Sequence, residues 1–462
     1  MPLTIKNHMK QFIALVSIFL MSLNLSAQKI VDTGNTLKEK LDSYLNAASA
    51  AHQFNGTVLI AEKGKVILNK GYGWKNAALN TLNDTGCIFL IGSNTKPFTA
   101  TTILKLQEEG KLSIHDKLTK YFPDYPNGNK ITIENLLTHT SGIPGFNVDE
   151  TDTIAWTPVS KDFIMNLFKD SVLGFEPGTK YEYSNANYFL LGLIIEKVTN
   201  ESYERAIREI IYEPLQMMRS GFDFIHLNDT SKATGYAILN DTLQQPAHLI
   251  DSTVSYAAGA MYSTTGDLYK WAKAIADKKI LSAGLWEKAF TPYKENYGYG
   301  WIIDSLNGKY YVGHSGGTLG FTSYVLYFPN EDVTIILLNN FLNAANPIIL
   351  PVQDISAIIF NKPYKLISNT KELKITDSIL NMYVGTYALS TAPKRIIVVT
   401  KINNILQANL AGKITTPLIF QTNTKFEFKN VPNTEGEFIV ENRKVIKIIV
   451  SQNGLFEWNK IK

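Results

Sequence analysis

Ile91-Gly92-Ser93-Asn94-Thr95-Lys96-Pro97-Phe98-Thr99-Ala100 follows the apolar segment Cys87-Ile88-Phe89-Leu90 and enters a stretch that reads as a helix over 94–109, stopped by Gly110. On a helix, residues i and i+3 share a face, so Ser-x-x-Lys lets the Lys96 amine reach the Ser93 hydroxyl. A serine hydroxyl is a weak nucleophile until a neighbouring base takes its proton. A helix N-terminus also favours the negative charge that develops there. Pro97 fits this placement, because first-turn residues donate no intrahelical hydrogen bond. The spacing alone is not decisive, since Ser-x-x-Lys recurs at Ser26 and at Ser368, the latter as the same Ser-Asn-Thr-Lys. Only Ser93 lies between an apolar segment and a helix.

Working outward, a helix is expected around Thr36–His52, followed by two strands, Thr57–Ala61 and Lys65–Leu68, around a Lys63-Gly64 turn. Residues 111–290 read as loops and helices. Strands are then expected at Tyr310–Gly313, Thr322–Phe328 and Val333–Leu338, and a helix at 347–360. Early and late strands around a helix-rich middle predict an α+β domain with one antiparallel sheet. Residues 362–374 are polar, carry Pro363 and read as a linker. From 375 to 462 short β-rich runs (Arg395–Val399, Ile405–Leu410, Glu437–Val440, Val445–Val450) alternate with turn residues, predicting a small all-β barrel or sandwich.

Residues 1–27 read as a signal peptide. Lys6 and Lys10 form its basic start, Phe12–Leu25 its apolar stretch, and Leu25-Ser26-Ala27 its cleavage site. The apolar run is shorter than the ~20 residues a membrane span needs. Export to the periplasm or the extracellular space is therefore expected, with no stable membrane span after cleavage. The formal charge of +4 falls to about +2 without Lys6 and Lys10, and no long basic run exists, which argues against a nucleic-acid partner. Cys87 is the single cysteine, so no intramolecular disulfide can form; in its apolar setting it reads as buried filler. No His-Glu-x-x-His or similar spacing occurs, so neither a metal nor a cofactor is expected. Nothing in the residues sets an oligomeric state.

Two further constellations follow Ser93. Tyr183-Ser184-Asn185 sits in a loop opened by Pro177-Gly178, just before the apolar run Tyr188–Val198. The same Tyr-x-Asn at Tyr44 falls on a helix face and at Tyr125 in a turn, and a loop aromatic is the better site candidate. His314-Ser315-Gly316-Gly317 places a polar residue, a hydroxyl and two glycines at a strand end, where a substrate can lie along the backbone. Gly313–Gly317 also matches the Gly-x-Ser-x-Gly elbow of α/β-hydrolases. That elbow needs strand–turn–helix and a later histidine. Here a strand pattern follows, and no histidine comes after Ser315. His115 and His139 read as structural, the latter at the end of a short helix.

With these motifs in order, the chain resembles the serine β-lactamase and penicillin-binding-protein family, in the branch of class C β-lactamases, D-alanyl-D-alanine carboxypeptidases and related esterases. Ile91–Ala100, Leu136-Leu137-Thr138-His139-Thr140-Ser141-Gly142, Pro177-Gly178 with Tyr183-Ser184-Asn185, and Ala258-Gly259-Ala260-Met261-Tyr262-Ser263-Thr264 carry the likeness, which covers roughly 35–360. It implies a hydrolase domain over 28–361, an antiparallel sheet flanked by helices beside an all-helical region, with the site between them. It also implies that Ser93 is acylated, that Lys96 and Tyr183 share proton transfer, and that Asn185 binds the substrate. Backbone N–H groups of Ser93 and Gly317 would form the oxyanion hole. Either a neutral Lys96 or a Tyr183 phenolate would serve as the base.

The likeness implies a small-molecule or peptide substrate: D-amino-acid peptides, esters or β-lactams. The family's Lys-Thr-Gly is replaced by His314-Ser315-Gly316, which favours peptidase or esterase action over β-lactamase action. A histidine of pKa ~6.5 is only partly charged at neutral pH. Activity on a carboxylate-bearing substrate is therefore expected to weaken as pH rises through about 6–8. The alternative is a penicillin-binding sensor of the same fold that acylates with little or no turnover.

Overall fold

Val58 and Ile60 pack on one side of their strand, Leu59 and Ala61 on the other, and both sets are buried. This period of two places the strand at the centre of a sheet covered on both faces. The computed structural model describes residues 36–146, 153–341, 349–364, 373–402, 404–410, 414–429, 434–442, 444–451 and 455–462. The expected signal peptide, Ser26, Ser368 and most of the expected linker lie outside the described residues.

Gly56–Glu62 (β1) and Lys65–Tyr72 (β2) form a hairpin turned by Lys63 and Gly64, both with left-handed φ. Ile302–Leu306 (β3), Lys309–Thr318 (β4), Phe321–Phe328 (β5) and Val333–Asn339 (β6) complete a six-stranded sheet of order β2-β1-β6-β5-β4-β3. Every pairing is antiparallel. The strands expected at both ends of the chain thus meet in one sheet, with β1 paired to β6. One face carries Leu37–Ala50 (α1) and Ile349–Ile359 (α2) through Leu41, Leu45, Val352 and Ile355. The other face packs against the helical region, where Leu268, Trp271 and Ile275 of Thr265–Ala276 (α3) join Leu59, Ile336 and Leu338 in one cluster.

Thr95–Glu108 (α4) runs through the middle of that region, and Thr95 to Leu104 are all buried. It packs against Asn185–Thr199 (α5) and Ser252–Gly259 (α6). Pro97 sits at its third position, where no backbone donor is required.

The helical region meets the sheet through glycines. A Cβ on Gly316 of β4 would lie 1.9 Å from Ile91 O and 2.6 Å from Ser323 Oγ. A Cβ on Gly92 (φ +52°) would lie 2.8 Å from Gly317 N. Backbone therefore rests on backbone, a separation that only glycine permits. Strand β4 pairs with β3 only as far as Gly313; from His314 to Thr318 its strand partner is β5 alone.

The C-terminal strands close into an eight-stranded barrel, which settles the choice between barrel and sandwich. Its strands are Gly385–Leu389 (β7), Ala392–Ile402 (β8), Ile405–Leu410 (β9), Ile414–Phe420 (β10), Lys425–Phe428 (β11), Glu435–Glu441 (β12), Lys444–Ser451 (β13) and Leu455–Lys460 (β14). A short helix, Asp377–Tyr383 (α7), precedes them and inserts Leu380 and Tyr383 into the core. The interior is filled: Tyr383 stacks on Phe438 at 4.0 Å, and Phe420, Phe426 and Phe428 surround them.

The glycine contact predicts a split between neighbours. Gly316→Ala drives a methyl group into Ile91 O and should lower stability by about 1–3 kcal/mol. Gly317→Ala meets nothing within 4 Å and should unfold at the wild-type temperature. Thermal unfolding of the two variants checks this; equal midpoints would contradict it.

Candidate active site

Gly92–Asn94 form a single 3-10 turn that leads directly into α4. Five hydrogen bonds fix that turn. Asn94 Nδ2 donates to Ser323 Oγ (2.7 Å), which donates to Ile91 O (2.7 Å). Thr95 Oγ1 donates to Gly92 O (2.7 Å) and accepts from Met261 N (3.2 Å). Ile91 N donates to Met261 O (2.9 Å). Ser93 is thus held at the junction of α4, β5 and the segment after α6.

Lys96 Nζ lies 2.9 Å from Ser93 Oγ, 2.9 Å from Asn185 Oδ1 and 2.8 Å from Ala258 O. Tyr183 Oη lies 2.9 Å from Ser93 Oγ. Four of the residues singled out in the sequence therefore form one hydrogen-bonded group. Lys96 is fully buried, and desolvation holds its pKa well below the ordinary lysine value. A neutral amine has two hydrogens and one lone pair. Asn185 Oδ1 and Ala258 O can only accept, so they take the two hydrogens and the lone pair is left facing the Ser93 hydroxyl. Tyr183 keeps 39% of its surface exposed. Desolvation still raises its pKa above that of free phenol, and its bond to Ser93 opposes the rise only in part. The balance of charge thus favours a neutral lysine and a protonated tyrosine.

His314 departs from its expected role. It is buried at 3% exposure, and its pKa is pushed down to about 3, first of all by desolvation. Nδ1 lies 2.6 Å from Ser315 O, which fixes the proton there, and Nε2 then accepts from Tyr297 Oη at 3.1 Å. Burial with both nitrogens hydrogen-bonded favours the neutral ring across pH 6–8. The expected loss of activity through His314 deprotonation in that range is therefore corrected.

A cavity of ≈ 170 Å³ opens beside Ser93, lined also by Asn185, Ser255, Ala258, Gly317 and Thr318. His314, Ser315 and Gly316 do not line it; they shape the β4 strand from which Gly317 borders it. Gly313–Gly317 lies wholly within β4, so the nucleophile-elbow reading of Ser315 has no turn or helix to stand on. Cys87 is buried and its thiol is pushed up to about 11, as fits inert filler. The Tyr-x-Asn copies at Tyr44 and Tyr125 are both buried elsewhere, Tyr44 bonded to Asp354. Sequence reasoning did not single out Asn94, Ser323, Tyr297 or the Ala258 carbonyl. Ala258 acts through its backbone, which no side-chain pattern reports.

Residues 41–348 match the family model described as Beta-lactamase. Penicillin-binding protein 4* of Bacillus subtilis (strain 168) is 28% identical over 450 residues, covering 90% of this chain and 97% of that protein. The putative penicillin-binding protein PbpX of the same strain is 32% identical over 308 residues, 66% of this chain and 75% of that protein. Among solved structures, the octameric penicillin-binding protein homologue from Pyrococcus abyssi superposes with a TM-score of 0.66 at 27% identity, covering 91% of this chain and 99% of that one. The chain belongs to the beta-lactamase family, a serine hydrolase of the fold that the penicillin-binding proteins share.

Proposed function

We propose that the chain is an exported hydrolase that works through an acyl-enzyme on Ser93, acting on D-amino-acid peptides or esters in preference to β-lactams. The observation that carries this reading is the convergence of Lys96 Nζ and Tyr183 Oη on one hydroxyl, each at 2.9 Å. Lys96 takes the Ser93 proton as Oγ attacks the substrate carbonyl. The N–H groups of Ser93 and Gly317, two residues that line the cavity, receive the oxyanion. Loss of one such donor typically costs about 3–4 kcal/mol of barrier. The proton then passes through Tyr183 to the leaving nitrogen or oxygen as its bond to carbon breaks. Water attacks the ester, gives a proton back through the same groups and frees Ser93.

Asn185 supports the same sequence of steps. Its Oδ1 is taken by Lys96, which leaves Nδ2 as the donor for a substrate carbonyl. The preference for peptides and esters rests on His314, which supplies no positive charge for a substrate carboxylate. Export rests on the leader pattern of residues 1–27. The catalytic part is assigned to 28–361, joined through 362–374 to the barrel module at 375–462.

Intact-mass spectrometry with an activated ester and a labelled penicillin tests the nucleophile. The wild type should gain one acyl mass and Ser93→Ala none; an adduct on both would overturn the assignment. A second test concerns pH. With ester substrate, kcat/KM should fall with decreasing pH as the depressed Lys96 takes up its proton, and His314→Gln should leave the profile between pH 6 and 8 unchanged in shape. Disappearance of a limb in that variant would show that His314 titrates there.

A further inference from the structure

We propose that His139 is the positioning residue of Tyr183, setting the phenol against Ser93 by holding the peptide groups on both sides of it. The inference rests on the reading of Tyr183 as the proton-transfer group.

His139 lies two residues beyond the short helix Ile133–Leu137, in left-handed conformation (φ 54°), and is fully buried. Its carbonyl accepts from Glu182 N at 3.0 Å and its Nδ1 from Ser184 N at 3.1 Å. Those are the residues immediately before and after Tyr183. The imidazole also lies against the Tyr183 ring, with centroids 4.3 Å apart at 35°. One residue thus clamps the loop twice and backs the phenol between the clamps.

The tautomer follows from the donors. Ser184 N–H can only donate, so Nδ1 carries a lone pair. Asn187 Nδ2 approaches the same nitrogen at 3.2 Å, and its orientation is set by Asn187 Oδ1, which accepts from Ser141 Oγ at 2.6 Å. The hydrogen therefore sits on Nε2. That atom is buried and has no hydrogen-bond partner among the described residues; the rings of Tyr188 and Tyr297 lie 5.1 and 4.9 Å away, centroid to centroid. A buried polar atom left unbonded is destabilising. A residue kept only for packing would be better replaced by an apolar ring, which could not accept from Ser184. The acceptor at Nδ1 is what the site needs, and the unbonded Nε2 comes with it.

A double-mutant cycle with Tyr183→Phe tests this on ester hydrolysis, with active sites counted by acylation. His139→Ala should lower kcat by roughly 10- to 100-fold with KM within about twofold, as small misplacements of a reacting group do. In the Tyr183→Phe background it should cost less than about twofold, because the group it positions is gone. His139→Asn, whose Oδ1 replaces the Nδ1 acceptor and which tolerates left-handed φ, should recover most of the loss. If His139→Ala does not fold, the cycle is read on His139→Asn, whose smaller fall in kcat should likewise vanish beside Tyr183→Phe. Equal losses in both backgrounds, or an undiminished kcat per active site, would overturn the proposal. A wild type that neither acylates nor turns over ester would instead overturn the hydrolase reading.

Discussion

The peptide backbone of Ile91–Gly92 rests on that of Gly316–Gly317, and that contact sets Ser93 against the end of β4. It joins the sheet to the helical region without side chains, so the distance between them is set by covalent geometry and van der Waals radii. The 3-10 turn, the start of α4 and the open end of β4 are fixed together by it. Lys96 is then carried to Ser93 by one turn of helix. Tyr183 and Asn185 arrive from the opposite side at the start of α5. A methyl group at Gly316 would disturb all of these at once, whereas the same change one residue later meets open space.

Burial of Lys96 is the second determinant. Desolvation is the cause that moves its pKa, and its ordinary charged form is the one that burial disfavours. Desolvation likewise raises Tyr183 and lowers His314 and His139. The site is therefore a cluster of titratable groups held in their uncharged forms. That state suits the proton transfers proposed for Lys96 and Tyr183.

Much of this was legible in the sequence, and the reasons differ by residue. Ser93, Lys96 and Tyr183 could be read because helix spacing and loop context are local properties. The two strand groups could be read because 57–61, 322–328 and 333–338 are short runs rich in β-branched, aromatic and other apolar residues. Barrel strands β7, β10, β11 and β14 were not expected: β10 carries Pro417, which weakens a strand reading, and β11 is only four residues long. His314 could be found but its charge could not, since its pKa depends on burial, which only the folded chain sets. His139 read as structural because nothing in Leu-Leu-Thr-His-Thr-Ser-Gly reports that Glu182 and Ser184 will dock on it. The Asn94–Ser323 bond and the Ala258 carbonyl are products of tertiary folding and leave no periodic trace.

The closed barrel has a consequence for a chain with a single cysteine. With one cysteine the chain has no disulfide to hold its C-terminal strands. Closure does a related job by different means: β7 pairs with β14 as well as with β8, so no strand is left at a rim to recruit a foreign one. An open sheet of the same strands would offer two such rims to every neighbouring polypeptide. The barrel guards itself by having no end.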